Sequence, residues 1–246
     1  MSSWLEPVAR YVGHGALLTV LLAASTVAVT LVVGVVCGAL LTLPSGWIVR
    51  APLIAYVQLW RALPVLVTLF VVFFSLPVLG IHLGSFLAAL VGLSLWGSAN
   101  VAEVVRGAVR SIPIGQSEAA AALGFGWGRR LQYVILPQAM RRMLPPLVGL
   151  LVDLIQATTL ASLVGVAEIL QTGQQSVERL TLSGGDSHAI PIFGGVLLAF
   201  FVICYPFTLL ARYLEHRLVR RDSRLGGGQR IFRRRAPVTS AAPAAP

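Results

Sequence analysis

The chain has 246 residues, 57% of them apolar and 11% charged, with a mean hydropathy of +0.83 and a formal net charge of +10. That hydropathy excludes a soluble domain, because uncharged stretches of about 20 residues recur, each long enough to cross a hydrocarbon core of roughly 30 Å. All of the positive charge is arginine and there is no lysine, which excludes a phosphate-cradling G-x-x-x-x-G-K-[ST] loop on this chain.

The apolar runs are continuous Leu, Val and Ala segments rather than alternating stretches of about 10 residues, so helices and not a closed barrel are predicted. Met1 to His14 carries Glu6 and Pro7 and lacks the basic start and small-residue cleavage site of a removable leader. Residues 1–14 are therefore read as an extracytoplasmic segment. The first span is predicted over Gly15 to Leu43, closed by Pro44-Ser45-Gly46. A second lies within Pro52 to Leu79 and contains Arg61 and Pro64, which are costly in lipid and belong against protein or water.

A third span, Phe86 to Val109, carries Asn100 and Glu103 and ends at Arg106 and Arg110. From Ser111 to Arg130 the apolar run stops, yet Glu118 to Leu123 is strongly helix-forming, with Pro113 before it and Gly124 after it. A short exposed helix between two spans follows. The fourth span is placed over Leu144 to Leu163, with Asp153 near its middle, and the fifth over Ile190 to Tyr213. Between them, Val164 to Ala189 holds Glu168, Glu178, Arg179 and Asp186 and reads as a connection. Residues 219–246, Arg-rich and then Pro/Ala-rich, are expected to form a disordered cytoplasmic tail.

Five spans put the two ends on opposite sides. Arg50, Arg106, Arg110, Arg129, Arg130 and the Arg-rich tail fall on one side, which the positive-inside bias makes cytoplasmic, with the N-terminus outside. Arginine at span ends meets anionic lipid, so membrane lipid and not nucleic acid is the expected polyanion. Cys37 and Cys204 sit inside apolar runs as small packing residues, and no metal site is expected. Histidines 14, 82, 188 and 216 are scattered and form no catalytic constellation, so an enzyme is not expected.

Glu118-Ala119-Ala120, then Gly124, then Ile135-Leu136-Pro137, resembles the cytoplasmic EAA loop of type I ABC importer permeases. Trp60-Arg61-Ala62-Leu63-Pro64, Ala102-Glu103-Val104-Val105-Arg106-Gly107, Ser111 to Gln116 and Thr159 to Val166 are similar to the polar amino acid subfamily, the histidine, glutamine and arginine type. The matches extend over about residues 15–218. The resemblance implies an all-α membrane protein with a type I transmembrane domain over 15–218 and a short cytoplasmic coupling helix near 117–124 in a bacterial inner membrane. That helix would seat in a groove of a separate ATPase, with Glu118, Ala119, Ala120, Gly124, Leu136 and Pro137 as coupling residues. The implied partners are two ABC ATPase subunits holding ATP and Mg, a second permease chain, identical or homologous, and an extracytoplasmic solute-binding protein. No cofactor is implied on this chain.

Candidate solute contacts are Glu103, Arg61, Thr158, Thr159 and Ser162. The competing readings are a salt bridge from Glu103 to Arg106 or Arg61, and hydroxyls bonded to backbone carbonyls within their own helix. The sequence departs from the subfamily at Gln156 and Ala157, where a Lys-Asp pair is usual, and at Trp96, where an Asn is frequent. These departures weigh against a cationic solute, or make this chain the non-binding half of a heterodimer. The competing class is an ion-gradient-driven carrier or channel with no ATPase.

Overall fold

The computed structural model describes residues 4–44, 46–184 and 188–233, and every regular element among them is helical. α1 spans Leu5–Thr42, so helix already covers most of the segment expected ahead of residue 15. α2 is Trp47–Ala62 and α3 is Val65–Phe70. The single second span expected over Pro52 to Leu79 is instead broken, with a 109° bend between 47–62 and 65–79. Pro64 explains the break: its ring forces the preceding residue out of the helical region, and Leu63 is extended at φ −85°, ψ 137°.

α4, Ser85–Arg110, forms the third span as expected. α5 is Ile114–Ala122, α6 is Trp127–Arg130 and α7 is Leu136–Ala157. A 3₁₀ turn over Thr158–Val164 ends α7. Two π-helical turns, Val71–Ser75 and Leu131–Ile135, each stop two residues before a proline, Pro77 and Pro137. Proline donates no N–H, so the ladder slips by one residue there instead of closing its ordinary turn. Four helices among the described residues are long and apolar enough to cross a membrane, or five if the bent pair counts as one span.

The connection expected over 164–189 contains a 16-residue helix, α8, Ile169–Gly184. The last helix, α9, runs from Ala189 to Arg233, so helix stands over 219–233 where a disordered tail is expected. Asp186 and residues 234–246 lie outside the described residues.

α4 is the central post. The main core gathers Leu22 of α1, Leu69 of α3, Ala89 and Leu93 of α4, Leu154 of α7 and Ala161 of the 3₁₀ turn, all fully buried. Outward-facing Val32 and Val36 of α1 and Leu197, Leu198 and Val202 of α9 are mostly exposed, an arrangement that lipid covers and water does not.

Candidate functional site

The segment joining α4 to α7 is built around α5. Pro113, at φ −56° and ψ 134°, enters the helix, where a missing N–H costs nothing because the first turn has no intrahelical partner for it. Ala120 turns inward at 4% exposure, while Gly115, Glu118, Ala119 and Ala122 share an exposed face at i, i+3, i+4 and i+7. Ile114 and Leu123, 76% and 77% exposed, leave apolar surface at both ends of that face.

Gly124 stops the helix at φ +80°, a left-handed conformation that glycine adopts without a Cβ penalty. The N–H of Phe125 bonds the carbonyl of Ala120 at 3.0 Å and the N–H of Gly124 bonds that of Ala121 at 2.9 Å, which together make a Schellman cap. Arg130 Nη1 donates to Ser117 Oγ at 3.4 Å, and Arg142 Nη1 of α7 donates to the Ser111 carbonyl at 2.5 Å. The Arg130 bond ties α5 to α6, the Arg142 bond ties α7 to the end of α4, and Gln138 Nε2 of α7 donates to Gln116 Oε1 of α5 at 3.5 Å. Leu136 and Pro137 open α7, and both are exposed.

The five expected solute contacts fall into two groups. Glu103 receives two N–H groups from Arg106, one of them at 2.9 Å from Nε, and lies 3.5 Å from Arg61 Nη1. The salt-bridge reading holds at both partners. Thr158, Thr159 and Ser162 all donate to backbone carbonyls three residues back, at 2.7, 2.8 and 2.7 Å. Thr158 is fully buried, whereas Thr159 lines a cavity of about 600 Å³ with Gln156, Phe201, Tyr205 and Arg212. The groups are separated along the bundle: Leu154, one turn before Thr158, reaches Gly97, about 9 Å of helix at ~1.5 Å per residue from Glu103, and Gly165, beyond Ser162, abuts Ser85, about 27 Å of helix from Glu103. Trp96 and Ala157 pack against the main core rather than into that cavity.

Asp153 is the residue whose position the sequence gives without its meaning. Its neighbour Leu154 reaches Gly97, midway along α4, so Asp153 sits at mid-depth. It is nevertheless exposed and forms no hydrogen bond or ion pair with any described residue. Pro146, Asp153, Gln156 and Leu163 are exposed on the same side of α7 and its 3₁₀ extension, at spacings of seven, three and seven. Gly149 lies on that stripe too, and a Cβ there would meet nothing within 4 Å. Among the described residues, no three His, Cys, Asp or Glu side chains converge on a metal position.

Over residues 30–220 the chain matches the family model described as binding-protein-dependent transport system inner membrane component. It is 33% identical over 207 residues to the glutamine transport system permease protein GlnP of Escherichia coli K12, covering 83% of this chain and 91% of that protein. To the probable amino-acid ABC transporter permease protein YckA of Bacillus subtilis 168 it is 34% identical over 168 residues, covering 68% and 72%. In fold it is similar to the crystal structure of an amino acid ABC transporter with histidines, with a TM-score of 0.75, 23% identity, and coverage of 88% of this chain and 99% of that one.

Proposed function

The chain belongs to the family of inner membrane components of binding-protein-dependent transport systems, and from that premise we propose that it is the permease subunit of an ATP-binding cassette importer for a polar amino acid or a similar small solute. The observation that carries this reading is the exposed helix α5. It offers a narrow face of glycine, alanines and one carboxylate, held by a glycine cap and hydrogen-bonded to α6 and α7. Small side chains let a partner's backbone approach closely, and Glu118 on the outer face can pair with a partner cation. With no lysine in the sequence, a phosphate-binding loop of the usual kind belongs to the partner, which is the ATPase that carries ATP and Mg.

Nucleotide-driven closure of two such ATPases moves α5, and α4 and α7 move with it as packed bodies. The orientation that follows puts α5 and the C-terminus in the cytoplasm and the N-terminus outside, in agreement with the arginine distribution. A second permease chain completes the path, because the polar face of α7 at mid-depth is costly against lipid. An extracytoplasmic solute-binding protein delivers the solute.

The test is Glu118→Lys, reconstituted in proteoliposomes with the ATPase and binding protein. The variant inserts normally and loses ATP-dependent uptake, because the reversed charge meets the groove that Glu118 was suited to. Unchanged uptake ends the coupling assignment. Wild-type uptake that needs no ATP and collapses with an ionophore would establish the ion-gradient carrier instead.

A further inference from the structure

We infer that a cleft between α2 and α4 binds the phosphodiester of an anionic membrane lipid. The cleft, about 310 Å³, has an apolar floor of Leu41, Ile54 and Val57 and a rim of Arg50, Arg106 and Arg110 around Glu103. Three guanidinium groups thus face one carboxylate, and that carboxylate is already taken by Arg106 and Arg61. The guanidinium groups of Arg50 and Arg110 form no hydrogen bond or ion pair with any described residue.

Gathering like charges in a half-enclosed space is unfavourable unless an anion joins them. Arg50 adds to the imbalance: it lies in the first turn of α2, at the positive end of that helix's dipole, where an anion and not a cation is favoured. Guanidinium forks match phosphate oxygens two at a time.

The surroundings favour a lipid over a free anion. Leu41 and Val57 are buried at the back of the cleft, but Ile54 is 40% exposed beside the arginines, so a ligand with a charged head and a hydrocarbon body covers what a small ion leaves bare. On the same helix Trp47 and Ile48 are 79% and 86% exposed, and tryptophan at a span boundary settles at headgroup level. Arg110 is the last residue of α4, four before α5 begins, so the cleft opens at the membrane face that carries α5.

The full-length chain, purified in mild detergent with an equal mixture of phosphatidylglycerol and phosphatidylcholine, is examined by native mass spectrometry for retained lipid. Wild type keeps phosphatidylglycerol. The double variant Arg50→Gln/Arg110→Gln weakens that retention about fivefold per charge, hence about twenty-fivefold for the pair. Arg129→Gln/Arg141→Gln, which removes the same charge from exposed positions outside the cleft, leaves it unchanged.

Equal retention by the cleft variant and wild type overturns the site, and displacement of the lipid by millimolar inorganic phosphate reassigns it to a soluble anion. Should the cleft variant fail to fold, the wild type decides: phosphatidylglycerol raises its thermal midpoint and phosphatidylcholine does not, and an equal shift by both overturns the site. None of these outcomes depends on the ATPase or the solute, so the transport reading stands or falls separately.

Discussion

Two carboxylates of this chain are shielded from water in opposite ways. Glu103 is held by two arginines. Glu168, wholly buried at the start of α8, has no cation against it among the described residues: its Oε2 and Oε1 accept the backbone N–H groups of Leu170 and Gln171 at 2.9 and 2.8 Å. It therefore caps the helix, satisfying donors that have no partner in the first turn. Burial pushes the Glu168 carboxyl above the usual carboxylate range, and the two N–H bonds only partly oppose that. A raised folded-state value means that the protonated form stabilises the fold. The contribution is full below the unfolded value and fades as pH climbs through the folded one. Glu168→Gln, which stays uncharged, escapes this loss. The thermal midpoint of the variant relative to wild type should rise as pH is taken from acid to neutral, and a difference that does not change with pH would sink the idea.

Between elements, close backbone approach does the work that hydrophobic burial does in water. Where α1 meets α4, a Cβ built on Gly38 would lie 2.6 Å from Val105 Cβ and 2.7 Å from the Ala102 carbonyl. Lipid tails are as apolar as Leu, so this kind of contact and not transfer from water holds the pair together. Gly38→Ala should lower the thermal midpoint by the equivalent of about 1–3 kcal/mol of overpacking. Gly13→Ala, on the same helix with nothing within 4 Å, should be neutral or stabilising by about 0.5–1 kcal/mol. Equal effects from the two would contradict the close-packing account. The same physics marks what the sequence made legible. Span α9 was readable because exposed Leu and Val accumulate along it, and α4 because Leu, Val and Ala accumulate along it even though most of them face the core. α8 was not, since the face it buries is Ile169, Thr172, Gly173 and Ser176, small and half polar, which no apolar periodicity detects. The α2–α3 bend had a visible cause in Pro64, but its angle depends on what α2 packs against. The arginine cleft was hidden for the same reason, because α2 must first fold across α4 before Arg50 can reach Arg110.

At the scale of the whole molecule the chain is incomplete by its own electrostatics. The helix of Glu118 was readable from residue types alone, whereas Asp153 could be placed in a span without any sign of which way it faced. In the fold it faces out of the chain at mid-depth, on a stripe with Pro146, Gly149, Gln156 and Leu163. An ionised carboxylate against hydrocarbon costs at least about 2.5–3.5 kcal/mol, which lipid does not return and a water-filled seam between two permeases avoids. This separates two environments that a single chain cannot distinguish by exposure alone. On the proposed assembly Leu197, 71% exposed on α9, faces lipid, and Asp153 faces the seam. With Cys37 and Cys204 replaced by alanine, Asp153→Cys in the assembled transporter should react with a membrane-impermeant maleimide, and its rate should change when ATP is added. Leu197→Cys should stay unlabelled, because the charged reagent does not enter hydrocarbon. If Asp153→Cys is as inert as Leu197→Cys in every nucleotide state, the α7 face lies against lipid and the second permease must dock elsewhere.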